Sequence, residues 1–261
     1  MSIDMTAIRE QFDRDGFYLA KSVFSPDEVA VLERDFDHIV AQLMKLDEQQ
    51  INARWSGPEM DRMGAQNTVI YHTHQVHEYS HAWLQALQQK TYLDVTEQIL
   101  GSSDIILHHT KLFQKPAEKG APFPMHQDYS YFASEKDTMM AGVIFVSDAD
   151  DEMGCLRVYP GSHKLGRVEG SHGRVESLMT KEYPIEGSTP VEVKAGDVVF
   201  FSYFTVHGSL PNRSSKVRKS VLVQMHAGDD EIEEGNRHPN SRLALRGFNH
   251  RMTREKANQL H

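Results

Sequence analysis

The sequence is poor in cysteine, tryptophan and long apolar runs. Of its 261 residues one is Cys, Cys155, and two are Trp. A lone thiol forbids an internal disulfide, so the fold must stand on buried apolar surface. A chain of this length can do so, because folding removes about 70–75% of the unfolded surface from water at this size. No apolar run nears the roughly 20 residues of a bilayer span, and the opening Met-Ser-Ile-Asp-Met-Thr lacks the basic-then-apolar order of an export signal. Positive charge is scarce as well: 28 Lys and Arg stand against 37 Asp and Glu, a net −9. Nucleic acids and anionic membranes reward clustered cations, so no nucleic acid and no membrane is the expected partner. These absences predict an acidic, soluble, cytoplasmic globule. Its oligomeric state is not legible. What the chain has in excess is histidine, at 15 residues.

The first hundred residues read as helical. Ser25-Pro26-Asp27-Glu28 is a capping box with Pro at the first helical position, and Val29, Leu32, Phe36, Ile39, Val40 and Leu43 follow at steps of three and four. A shorter helix around Ile8 to Phe12 ends at Asp15-Gly16, and Phe17 to Ala20 reads as a strand. Asp47 to Gln66 is polar and aperiodic, hence loop. Trp83, Leu84 and Leu87 suggest another helix, and one with Leu93, Ile99 and Leu100 stops at Gly101.

After Gly101 the pattern changes. Ile105 to Phe113, Ala141 to Val146, Leu156 to Tyr159, Val198 to Phe204 and Val217 to Met225 are short runs rich in β-branched and aromatic residues, separated by Pro, Gly, Asn and Ser. Many short strands between turns predict a mainly β fold with N-terminal helices, its core a jelly roll. We read one domain over 1–261: a helical part to about 101, a β core from about 102 to 227, and a polar tail from 228 to 261.

Two histidine motifs belong to different chemistries. In His126-Gln127-Asp128, residues i and i+2 of a strand share a face, so an imidazole and a carboxylate can grip one metal. Two His and one carboxylate on one face of iron(II), with positions left open, form a facial triad, and His207 at the end of a predicted strand is the candidate third ligand. The pair alone is weak, since 15 His and 37 acids supply roughly two such spacings by chance. The second motif, His77-Glu78-Tyr79-Ser80-His81, matches the zinc-protease pattern. On one helix the two His would share a face, Glu78 would be the general base, and Glu97 would be the nearest candidate for a further ligand. The Gly and His of the extended zinc motif are missing, and Leu84 and Leu87 stand in their place.

Lys111-Leu112-Phe113-Gln114-Lys115-Pro116, Met125-His126-Gln127-Asp128, Glu152-Met153-Gly154-Cys155-Leu156 leading to Pro160-Gly161-Ser162-His163, and His207-Gly208-Ser209-Leu210-Pro211-Asn212-Arg213-Ser214 with Arg218 stand in order. So does the earlier Phe12-Asp13-Arg14-Asp15-Gly16-Phe17. Together they resemble the phytanoyl-CoA dioxygenase family of Fe(II)- and 2-oxoglutarate-dependent oxygenases, over about residues 8 to 226. The resemblance implies a double-stranded β-helix, the cupin-like form of the jelly roll, with iron held by His126, Asp128 and His207. It further implies 2-oxoglutarate as co-substrate and O2 as oxidant, with hydroxylation of a C–H bond and release of succinate and CO2. The chain is somewhat compact for the family and has no evident acyl-CoA-binding basic patch, so the expected small-molecule substrate is a small polar metabolite. Relatives that chlorinate have a small residue in place of Asp128, so its carboxylate favours hydroxylation.

The resemblance places Arg218, eleven residues after His207, on the far carboxylate of the co-substrate, where a planar guanidinium offers two parallel hydrogen bonds. Ser209 and Lys111 match further co-substrate positions, although relatives often have Met at the latter. Lys115, before Pro116, reads as the start of a loop. Val143 or a neighbour replaces a Trp of some relatives, and Cys155 reads as a packed thiol. His72, His74 and Tyr129 are candidate substrate contacts, while Arg242, Arg246 and Arg251 in the tail read first as solvated charges, with closure over an anionic substrate as the alternative. A zinc metalloprotease and a non-catalytic metal- or ligand-binding jelly roll remain as alternatives.

Overall fold

Two antiparallel sheets face each other in the computed structural model, which describes residues 5–46, 51–53, 68–171, 178–236 and 238–259. The larger sheet has eight strands: β1 (Phe17–Ala20), β2 (Asn52–Ala53), β3 (Ile70–His74), β4 (Ile105–Lys115), β6 (Met140–Phe145), β9 (Val198–Ser202), β11 (Arg218–Ala227) and β12 (Leu243–Arg246). Its spatial order is β1-β9-β6-β11-β4-β3-β2, with β12 also paired to β4. The smaller sheet, ordered β5-β10-β7-β8, comprises β5 (Phe123–His126), β7 (Leu156–Val158), β8 (Thr189–Val191) and β10 (His207–Ser209). This is the expected double-stranded β-helix.

Both faces of the large sheet are covered, which explains its near-continuous apolar strands. Phe145, Val199 and Phe201 pack against Cys155, Leu156, Val158 and Val191 between the sheets. On the other face Ile144, Val198, Phe200, Val221 and Val223 pack against the helices. Cys155 is fully buried, a packed thiol as expected.

The helical start signals hold. In α1 (Met5–Asp15) and α2 (Pro26–Leu46) the apolar stripe Val29, Leu32, Phe36, Ile39 and Val40 is buried. Ser25 Oγ accepts from Glu28 N at 3.3 Å while Ser25 N donates to Glu28 Oε2 at 2.7 Å, the reciprocal capping box. Gly16 turns the chain from α1 into β1 at φ +79°, and a Cβ there would lie 2.4 Å from His163 Nδ1. Most of the predicted loop from Asp47 to Gln66 lies outside the described residues, and its described part includes β2.

Three expectations need correction. The zinc-protease motif does not lie on one helix. A four-residue helix, Val76–Tyr79, ends at Ser80, which is extended (φ −141°, ψ 128°) and caps a second helix, His81–Ala86. Ser80 Oγ accepts from Trp83 N and donates to Asp35 Oδ2 at 2.6 Å, which holds the break. His77 and His81 therefore fall in separate helices, and Glu97 is paired with Arg246 at 2.7 Å. The tail does not close over the site with free cations either. Arg246 bridges Asp94 and Glu97, Arg251 pairs with Glu135, and Arg242 donates to Lys256 O. Finally, Lys115 begins no loop: it ends β4 and is fully buried.

Candidate active site

His126 closes β5 and His207 opens β10, and the two are direct cross-strand partners with ring centroids 4.2 Å apart. Gln127 is extended (φ −110°, ψ 140°), so Asp128 returns to the face of His126 although the strand has ended and a 3-10 turn, Asp128–Tyr131, begins. Asp128 Oδ1 lies 3.3 Å from His126 Nε2 and 3.6 Å from His207 Nε2. The sequence-based strand argument thus gives the right face by a slightly different backbone. Gln127 points the other way and donates to Gly166 O and Phe204 O.

The donor set fits a metal ion. His126 Nδ1 is 2.8 Å from Pro124 O and His207 Nδ1 is 2.9 Å from Thr205 O, so each carbonyl takes an Nδ1–H and leaves Nε2 as the bare nitrogen. The second carboxylate oxygen, Asp128 Oδ2, accepts from Gln224 Nε2 at 2.6 Å. Burial alone would raise the Asp128 carboxyl, but His207, His126 and the Gln224 amide outweigh it and hold it down to about 2. Burial, with His126 close by, pushes His207 down to about 4. The Asp128 carboxylate and the His207 lone pair are ready at neutral pH without loss of a proton.

A pocket runs from this triad between the sheets. Phe113, Phe123, Val143, Leu156 and Phe201 line its middle, and Ser209, Arg218 and Ser220 its far end. Val143 forms part of its wall. Arg218 and Lys115 are register partners on β11 and β4. Arg218 donates to Gly154 O at 3.1 Å and Ser220 Oγ at 3.2 Å, and its buried Nε has no partner. Lys115 Nζ donates to Ser209 Oγ at 2.7 Å and Leu210 O at 2.6 Å. No carboxylate pairs with either cation among the described residues. Burial lowers Arg218 to about 10, and burial with the Arg218 charge pushes Lys115 well below the ordinary lysine value.

The other expected residues separate. Lys111 sits on the same inward face of β4 as Phe113 and Lys115, but opposite Leu222 and His74 rather than at the Arg218 end. His72 and His74 lie on β3, beyond its pairing with β2, and face inward, with ring centroids 6.3 Å apart. Tyr129 turns away from the metal ligands onto Tyr203 and Phe204. It is Tyr131, two residues on, whose ring is 6.1 Å from His126. Sequence reasoning missed Lys115, Gln224, His109 and His238. Period-2 alternation through Lys111 would have placed His109 and Lys115 on its face, and alternation back from Arg218 would have placed Gln224. His238, in the tail, carried no signal.

A metal-ready triad in a two-sheet β core, with a buried Arg218 in the pocket that leads from it, defines the class. The chain belongs to the phytanoyl-CoA dioxygenase family, whose model matches residues 12–220. It is an Fe(II)- and 2-oxoglutarate-dependent dioxygenase that uses O2. The chain is 25% identical over 244 residues to an ectoine dioxygenase of Nocardia farcinica, a match spanning 85% of this chain and 78% of that protein. It is 27% identical over 231 residues to a probable alpha-ketoglutarate-dependent hypophosphite dioxygenase of Stutzerimonas stutzeri, again with 85% and 78% coverage. The fold superposes with a TM-score of 0.72 on the crystal structure of EctD from S. alaskensis with 2-oxoglutarate and 5-hydroxyectoine, at 24% identity over 94% of this chain and 85% of that one. No described helix is long and apolar enough to cross a membrane.

Proposed function

We propose that His126, Asp128 and His207 hold Fe(II) and that this centre hydroxylates a C–H bond of a small polar metabolite. The carrying observation is the convergence of His126 Nε2, His207 Nε2 and Asp128 Oδ1 within 4.8 Å of one another, their outer atoms engaged by Pro124, Thr205 and Gln224. Iron with 2-oxoglutarate and O2 supplies the oxidant, with release of succinate and CO2. The rest is the work of the chain. Arg218 and Ser209 receive the far carboxylate of the co-substrate, as the family pattern implies, and Lys115 Nζ holds Ser209 in place from behind. Two basic groups in register with no acid paired to them among the described residues favour an anionic guest. Phe113 and Phe123, edge to face at 5.2 Å, keep water from the middle of the pocket. Asp128 fills the carboxylate position, leaving no room for a halide and favouring hydroxylation.

The small polar substrate agrees with the relatives above, which are named for ectoine and hypophosphite. The test is succinate release from 2-oxoglutarate with Fe(II) and ascorbate across a panel of small metabolites, with product mass measured in parallel. Substrate-stimulated succinate and a product heavier by one oxygen are expected. Metal-reconstituted protein that turns over nothing on the panel, not even 2-oxoglutarate alone, counts against the reading.

A further inference from the structure

Beside the triad lies a second group of basic side chains. Lys111 on β4 is ringed by four imidazoles: His72 and His74 from β3, His109 from β4, and His238 from the tail. His74 Nε2 is 3.2 Å from His238 Nδ1, and His109 lies 5.7 Å from His74 and 5.0 Å from His238, ring to ring. The ammonium rests over the Phe113 ring at 5.1 Å, and no carboxylate or hydroxyl accepts from it among the described residues. Burial and then the Lys111 charge lower His72 to about 4 and His74 to about 3, and Lys111 also acts on His109 and His238. The one acid felt by Lys111 is Asp128, which is committed to the triad. Five basic groups thus share a partly buried space with no acid of their own. An unpaired buried cation is costly, and neutral imidazoles offer N–H donors to a guest that carries the missing charge.

We infer that Lys111 and the imidazoles of His72, His74, His109 and His238 form the substrate's acid subsite, so that the substrate is a small organic anion bearing a carboxylate or phosphonate group. This rests on the oxygenase reading above and adds the chemical class of its substrate. The subsite adjoins the triad: the Tyr131 ring is 6.1 Å from His126 and 5.8 Å from His238, so one small molecule can reach from the acid subsite to the metal ligands. A second metal ion is the competing occupant of His74, His109 and His238. Ring geometry disfavours it: His109 and His238 are stacked at 16°, so their in-plane lone pairs run nearly parallel instead of converging.

The test uses the full chain loaded with Fe(II) and 2-oxoglutarate under nitrogen. Butyrate, propylphosphonate and the neutral butyramide are titrated by calorimetry, and the iron–2-oxoglutarate charge-transfer band reports co-substrate binding in the same samples. At least one acid is expected to bind about tenfold or more tighter than the amide. Which acid binds better distinguishes carboxylate from phosphonate. Lys111→Met and, as a second variant, His238→Gln should each weaken acid binding about tenfold while the 2-oxoglutarate titration stays unchanged. Equal binding of acid and amide overturns the inference, as does unaltered acid binding in both variants. A weakened 2-oxoglutarate titration in Lys111→Met assigns Lys111 to the co-substrate instead, and a second metal equivalent lost with His238→Gln assigns the imidazoles to a metal. Absence of the charge-transfer band in the wild type sinks the oxygenase site, not this inference, because acid binding to Lys111 is then read on metal-free protein.

Discussion

Gln224 donates its side-chain amide to Asp128 Oδ2 at 2.6 Å, from the inward face of β11 to the turn that follows β5. That contact leaves Oδ1 aimed at the two imidazoles. Outer partners of this kind set ligand orientation, and their loss typically costs about 10–100-fold in metal affinity. Gln224→Leu is expected to weaken Fe(II) or Co(II) binding by about that factor with the β fold intact by circular dichroism. Metal affinity equal to wild type would show that Asp128 orients itself.

Arg218 and co-substrate affinity give the second prediction. Arg218→Lys keeps the charge but loses the planar fork, and Gly154 O and Ser220 Oγ lose their donor. A rise of about 10–100-fold in KM for 2-oxoglutarate is expected, with a smaller change in kcat, since the contact is made alike in ground and transition states. A loss confined to kcat would move Arg218 out of the binding role.

The zinc motif supplies a negative control. His77 is half-buried with Nδ1 3.1 Å from Thr110 Oγ1, and His81 stands beyond the break at Ser80. The double change His77→Ala and His81→Ala should leave iron content and succinate release near wild type, at a stability cost of about 1 kcal/mol. Asp128→Ala should abolish hydroxylation. The reverse pattern would revive the metalloprotease.

Acid sensitivity follows from the buried imidazoles. In the fold His72, His207 and His238 sit at about 4 and His74 at about 3, each lowered first by burial from 6.5. Above 6.5 both folded and unfolded chains keep these groups neutral. As pH falls below 6.5 the unfolded chain takes the protons first, so stability is lost from about 6.5 down to about 4. Each imidazole contributes at most about 1.4 kcal/mol per pH unit, less where it is partly exposed. The Tm of metal-free protein should therefore drop steeply between pH 6.5 and pH 4.5, and a flat profile would mean that these side chains are hydrated and charged in the fold.

Much of this architecture was readable from residues alone, for identifiable reasons. The large sheet is covered on both faces, so β6 and β9 appear as unbroken apolar runs. The triad was readable because Gln127 stays extended, which preserves the i, i+2 rule past the end of β5. Strand β3 was not, because its inward positions are His72 and His74 and an alternating polar strand lacks the apolar signal. Lys115 looked like a loop residue before Pro116, since burial here depends on Arg218 and Ser209, far away in sequence. The false zinc helix had a visible warning: Ser80 is a capping residue, and its cap breaks the motif. His238 reaches the site only through the path of the tail, which no local pattern encodes.

The register pair Lys115 and Arg218 has a thermodynamic consequence. Two buried basic side chains in register disfavour each other's charge in the empty protein, so the ligand-free fold carries a local electrostatic penalty that the co-substrate's far carboxylate relieves. The co-substrate then acts as a structural counter-ion as well as a reactant. Its binding should tighten the seam between β4 and β11, slowing hydrogen exchange along both strands before any oxygen arrives.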